Sequence, residues 1–147
     1  MESRIEVAAE LFKNGYNCAQ AVFVTYADLF GVAEEQALKL SSSFGGGIGG
    51  MREVCGTVTA MSMIAGLYNG VIQSNDKEGK KINYETVQLL ADKFREENGS
   101  IVCRQLLGLA PGLPEEKQKK PCVEYVRTCA QLIEIHLIKS SDNNEMR

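Results

Sequence analysis

Five cysteines stand at positions 18, 55, 103, 122 and 129. Cysteine is the side chain that binds soft metals, ligates iron–sulfur clusters and carries thiol–disulfide exchange. The segment that leads into the second of them, FGGGIGGMREVCG (44–56), packs five glycines into six residues. Glycine serves where a backbone turns through positive φ or must come very close to another group. Gly46, Gly47, Gly49, Gly50 and Gly56 are therefore read as positions where the backbone approaches a cofactor or partner beside Cys55. The loop also matches GxGxxG through Gly45, Gly47 and Gly50. No strand precedes it, no acid follows at the usual distance, and no Lys-Ser/Thr pair makes it a P-loop.

Apolar residues recur at helical spacing almost throughout, with no convincing alternating strand. A first helix spans about residues 3–13 and stops at Asn14-Gly15. A second follows Asn17 as cap and runs to Gly31, and a third covers about 33–43. The fourth, about 54–69, is apolar nearly all round and so should be central and buried. After a polar loop at 73–81, a fifth covers about 82–97 and ends at Asn98-Gly99. A short sixth follows Ser100 as cap, and the last opens at Pro121 and runs to about Lys139. SSDNNEMR (140–147) reads as a frayed tail. The expected fold is all-α: a compact single-domain bundle of about six or seven helices over 1–147. Phe12, Phe23, Leu29, Leu40, Met61, Ile64, Leu89, Phe94, Leu106, Val126 and Ile133 form its expected core.

On this map Cys18, Cys55, Cys103 and Cys122 all fall in first turns, and only Cys129 lies in mid-helix, as a core residue would. First turns offer unpaired N–H groups and the positive end of the helix dipole, which favour thiolate over thiol. Arg52 and Arg104 stand beside Cys55 and Cys103 and add to that expectation. Separations of 37, 48 and 19 residues contain no CxxC, so neither a thioredoxin-type motif nor a zinc ribbon is written locally. Any convergence must come from the tertiary fold.

The same residues resemble the redox-active family known by its cysteine pattern, C-GCAxxG-C-C. YNCAQAV matches its first cysteine segment, FGGGIGGMREVCG its glycine loop, CRQLLG its third cysteine and PCVEYV its fourth, over nearly the whole chain. The resemblance implies that Cys18, Cys55, Cys103 and Cys122 are the characteristic four. It also suggests iron–sulfur chemistry, since similar four-cysteine modules occur alongside haem domains in electron-transfer proteins. Where the family has CGAxxG this chain reads Cys55-Gly56-Thr57-Val58-Thr59-Ala60. Gly56 and Ala60 keep a small-xxx-small face, so the change is expected to touch fine packing more than cysteine chemistry.

Three functions stay open. A four-thiolate centre (Cys18, Cys55, Cys103, Cys122) would hold an iron–sulfur cluster, or less readily zinc, for electron transfer or sensing. A thiol–disulfide protein would use Cys55 as attacking thiol and Cys18 to resolve, with no cofactor. A helical protein-binding module would keep its cysteines as core. The first two make the chain an electron carrier or an oxidoreductase, and both imply a redox partner protein. His136, alone in LIEIHLIK, reads as a packed residue rather than a ligand. A net charge of −3 with scattered lysines leaves no footprint for nucleic acid. The N-terminus lacks a signal-peptide h-region, and Cys55 to Leu67 is too short to insert in a membrane, so a cytoplasmic location is expected. An odd cysteine count in a reducing compartment argues against a permanent disulfide framework. A small bundle with an exposed apolar edge is also compatible with a homodimer.

Overall fold

A computed structural model describes residues 1–139. Its α-helices are α1 (Ile5–Lys13), α2 (Cys18–Ala27), α3 (Glu34–Ser42), α4 (Gly56–Asn69), α5 (Lys77–Asn98), α6 (Cys103–Leu106) and α7 (Cys122–Ile133). A 3-10 turn, Asp28–Phe30, extends α2, and a π-helical segment, Glu134–Ile138, continues α7. The all-α expectation holds. The described residues contain no strand, only an isolated antiparallel bridge between Val54 and Val102. The expected frayed tail, 140–147, lies outside the described residues. No helix among them is long and apolar enough to cross a membrane.

α2 and α4 form the centre, with α3 against α2, α5 against α4 and α1 against α7, while α7 closes on α2, α4 and α5. Most of α4 from Gly56 to Ala65 is buried (Gly56, Thr57, Val58, Ala60, Met61, Ile64 and Ala65), as its largely apolar character requires. Leu29, Leu40 and Leu89 depart from the expected core, at 41%, 49% and 44% exposure. Each sits on a helical face that no neighbouring element covers.

Two helix starts differ from the sequence reading. α5 begins at Lys77, not near 82, because the Asp76 carboxylate accepts the Gly79 N–H (2.9 Å) and caps a first turn of charged residues that has no apolar face to show. α6 begins at Cys103 itself. Ser100 is no cap: its Oγ accepts the Val102 N–H (2.9 Å) in the preceding turn. The start of α2 matches expectation. Asn17 Oδ1 accepts the Gln20 N–H (2.9 Å) and Gln20 Oε1 accepts the Asn17 N–H (3.1 Å), a reciprocal capping box. The same two side chains donate to Ser42 O (2.9 Å) and Leu38 O (3.1 Å), tying this start to the end of α3.

Candidate functional site

The glycine loop folds back on itself between α3 and α4. Gly49, Gly50, Arg52 and Glu53 donate their N–H groups to the carbonyls of Ser43, Gly45, Gly46 and Gly47 at 2.7–3.0 Å. Amides spent in this way cannot cradle a phosphate. Positive φ runs through Gly46, Gly47, Ile48, Gly49, Gly50 and Arg52. Two glycines are there for close approach. A Cβ on Gly47 would lie 2.7 Å from Cys103 Cβ, and one on Gly56 would lie 2.6 Å from Cys18 Sγ and 2.7 Å from the Phe44 carbonyl.

The loop then delivers Cys55 as the N-terminal cap residue of α4 and meets the segment before α6. The Cys55 N–H donates to Ile101 O (2.8 Å) and the Cys103 N–H to Glu53 O (2.6 Å), either side of the Val54–Val102 bridge. Arg104 donates from both N–H and Nε to the Arg52 carbonyl, at 3.2 and 3.0 Å. These bonds lock the segments bearing Cys55 and Cys103 side by side. Cys18 opens α2 directly after the Asn17 cap, and Cys122 opens α7 after Pro121. The Tyr125 hydroxyl fastens that last start to α6, accepting the Lys120 N–H (3.1 Å) and donating to Leu106 O (3.3 Å).

All four thiols line one cavity of about 220 Å³, with Phe12, Leu106 and Leu107 as apolar wall. The fold therefore brings Cys18, Cys55, Cys103 and Cys122 together, each at a helix start, as expected. Gly46 and Gly56 line the same cavity, and Gly47 stands behind Cys103. Gly49 and Gly50 do not reach the lining. Both are exposed, and their role is to turn the loop. Cys129 is fully buried in the core, and His136, half-buried in the π-helical segment, takes no part in the lining.

Electrostatics corrects one expectation. Burial pushes the Cys55 thiol up to about 12, although the Thr57 hydroxyl and the Thr57 and Val58 amides pull the other way. Burial also raises Cys122, reinforced by Cys18 and Cys103 and opposed by Arg52 and Lys119. Cys129 is raised well above the ordinary thiol value, again by burial first. At Cys55 desolvation outweighs the helix start, so in the reduced protein it is not the low-pKa attacking thiol anticipated from its position. All five cysteines are free thiols.

Two contacts were missing from the sequence reading. Thr57 Oγ1 lies 3.0 Å from Cys55 Sγ, so the departure from the family's alanine touches cysteine chemistry and not packing alone. Arg52 Nη1 donates to Cys103 Sγ at 3.8 Å, whereas sequence proximity had set Arg52 beside Cys55. The left-handed turn at Arg52 itself sends its side chain across to the neighbouring segment.

A single tetrahedral zinc held by sulfur at about 2.3 Å draws its ligands to about 3.8 Å from one another. Among the described residues no group of three or more His, Cys, Asp or Glu is gathered to hold a metal ion. Four cysteine thiols are a donor set that iron–sulfur clusters use.

A family model described as "Putative redox-active protein (C_GCAxxG_C_C)" matches residues 16–135, a span that takes in all five cysteines. No curated protein and no solved structure matches the chain.

Proposed function

Because the chain belongs to this C_GCAxxG_C_C family, we propose that its four-thiol cavity is a redox centre in which Cys18, Cys55, Cys103 and Cys122 hold an iron–sulfur cluster for electron transfer or sensing. One observation carries this reading: four thiols from four separate helix starts line a single cavity of about 220 Å³. When bound, such a cluster supplies a one-electron couple. The chain's own part is to shape and dry the cavity. Phe12, Leu106 and Leu107 exclude water, the Thr57 hydroxyl is poised to hydrogen-bond the Cys55 sulfur, and Gly46 and Gly56 leave room for backbone to approach. Burial that raises the Cys55 thiol disfavours a lone thiolate, and a bound metal centre offsets that cost by neutralising thiolate charge. A redox partner protein would exchange electrons at the cavity mouth.

Thiol–disulfide chemistry is the second reading, supported by Cys18 Sγ lying close against Gly56, the residue next to Cys55, with both cysteines lining one cavity. Their roles are then the reverse of the sequence expectation: the less buried Cys18 attacks and the sealed Cys55 resolves. Protein purified without oxygen, with visible spectroscopy and iron and sulfide analysis of the wild type and of each Cys→Ser variant, separates these readings. Broad absorbance with near-stoichiometric iron and sulfide, lost in all four variants, is the expected result. A colourless protein whose reversible oxidation needs only Cys18 and Cys55 transfers the function to thiol exchange. A colourless protein with inert thiols leaves a helical binding module.

A further inference from the structure

The lining of the four-thiol cavity includes one charged side chain, Arg52, and no carboxylate. Its guanidinium donates to Cys103 Sγ (3.8 Å) and packs over Gly46, where a Cβ would come within 3.3 Å of Nη1. Nearby charge does not cancel it. Glu53, the adjacent acid, is engaged by Arg104, and no carboxylate pairs with Arg52 among the described residues. The Arg52 charge also reaches Cys122 across the cavity.

The backbone at this position would be better served by another residue. Arg52 sits at φ 62°, in the left-handed region where a non-glycine residue costs about 1 kcal/mol or more and glycine almost nothing. What the position does with its backbone, donating to Gly46 O (2.9 Å) and accepting from Arg104, needs no side chain. The loop uses glycine at 46, 47, 49 and 50 for the same left-handed conformation, and Ile48 is the other non-glycine residue that adopts it. What sets Arg52 apart is its guanidinium, which reaches the cavity and Cys103 Sγ.

We propose that Arg52 is the counter-charge of the redox centre and sets its reduction potential. The inference rests on the cluster reading above. Taking up one electron from a donor, with no proton, makes a four-thiolate cluster one charge more negative. A guanidinium donating to one ligand sulfur stabilises that reduced state and raises the potential. Net charge and hydrogen bonds to sulfur are among the features that set such potentials. Arg52 is thus a positioning and tuning residue rather than a ligand.

The test is a potentiometric titration with dithionite on protein loaded anaerobically with iron and sulfide, comparing wild type with Arg52→Gly, Arg52→Gln and Arg52→Lys. Glycine suits φ 62°, so Arg52→Gly should melt no lower than wild type, and Arg52→Gln gives a second neutral variant should the glycine protein misfold. Both neutral variants should bind a full complement of iron and show an equilibrium constant for reduction about tenfold smaller, equivalent to about 59 mV more negative for a one-electron couple. Arg52→Lys should keep most of the wild-type value. A loaded centre whose potential is unchanged or more positive in the neutral variants overturns the assignment to Arg52, as does a lysine variant displaced as far as they are. Wild-type protein that forms no cluster overturns the cluster reading itself, and this inference with it.

Discussion

Glu134 and Cys55 are equally sealed, at 5% and 6% exposure, and their surroundings differ in kind. The Glu134 carboxylate accepts the Tyr26 hydroxyl (2.5 Å) and the Arg4 N–H (2.7 Å), and the Arg4 guanidinium donates in turn to Thr25 O (2.9 Å) and Asp28 (2.7 Å). Burial, then Glu134, raises the Tyr26 hydroxyl above its ordinary value, so it remains a donor. This is a closed network, fastening the start of α1 to the end of α2 and to the π-helical segment after α7. Around Cys55 the polar groups are left open. A thiol with one hydroxyl partner faces three other thiols and a guanidinium across a cavity. Buried polarity that is fully partnered holds a fold together. Buried polarity gathered around space is kept for something else, and its cost is visible in the raised thiols.

This contrast is open to test, and the largest effects should fall on opposite readouts. Cys55→Ser should abolish any iron–sulfur chromophore while lowering stability by no more than about 1 kcal/mol. Glu134→Ala should do the reverse. It keeps the chromophore but lowers stability by about 3 kcal/mol in urea denaturation, since Tyr26 and the Arg4 amide lose their partner. Equal loss of colour in both would erase the distinction.

Within the glycine loop the expected effects are smaller. Gly56→Ala presses a methyl against Cys18 Sγ and the Phe44 carbonyl and should cost about 1–3 kcal/mol with loss of colour. Gly50→Ala meets nothing within 4 Å, so it should cost only the strain of φ 78°, about 1 kcal/mol, and leave the chromophore intact.

Alkaline pH probes the raised thiols. In the reduced, metal-free protein Cys55 is shifted from an ordinary value of 9.0 to about 12, so its stabilising contribution is complete below pH 9 and is lost as pH climbs towards 12. Denaturation midpoints should fall from pH 9 upward, with Cys122 and Cys129 acting in the same direction. Cys55→Ser should make that slope shallower, and an unchanged slope would mean that the thiol is not desolvated. The smallest effect belongs to Thr57→Ala, which removes the hydroxyl beside Cys55 and should change stability by less than about 1 kcal/mol while moving the chromophore's absorbance.

Much of this site was written locally in the sequence. Asn17 with Gln20, the glycine run before Cys55 and Pro121 before Cys122 are short-range signals for where helices begin, and they carried three of the four cysteines to their places. The start of α5 was hidden because a capped, solvated turn has no apolar pattern. The pairing of Val54 with Val102, the reach of Arg52 to Cys103 and the desolvation of Cys55 were not legible at all. Each depends on segments far apart in the chain, or on how many neighbours exclude water, and periodicity registers neither. Leu29, Leu40 and Leu89 show the converse: helical spacing marks an apolar face whether or not another element comes to cover it.

The wide spread of the four helix starts also fixes a timetable. Cys18 and Cys122 lie 104 positions apart, so the last wall of the cavity comes from the last α-helix among the described residues. A nascent chain can present its first three cysteines to the cell well before α7 leaves the ribosome, but it cannot enclose anything with them. Under the proposed cluster reading, a centre held by all four cysteines would be completed only once α7 has been made and docked.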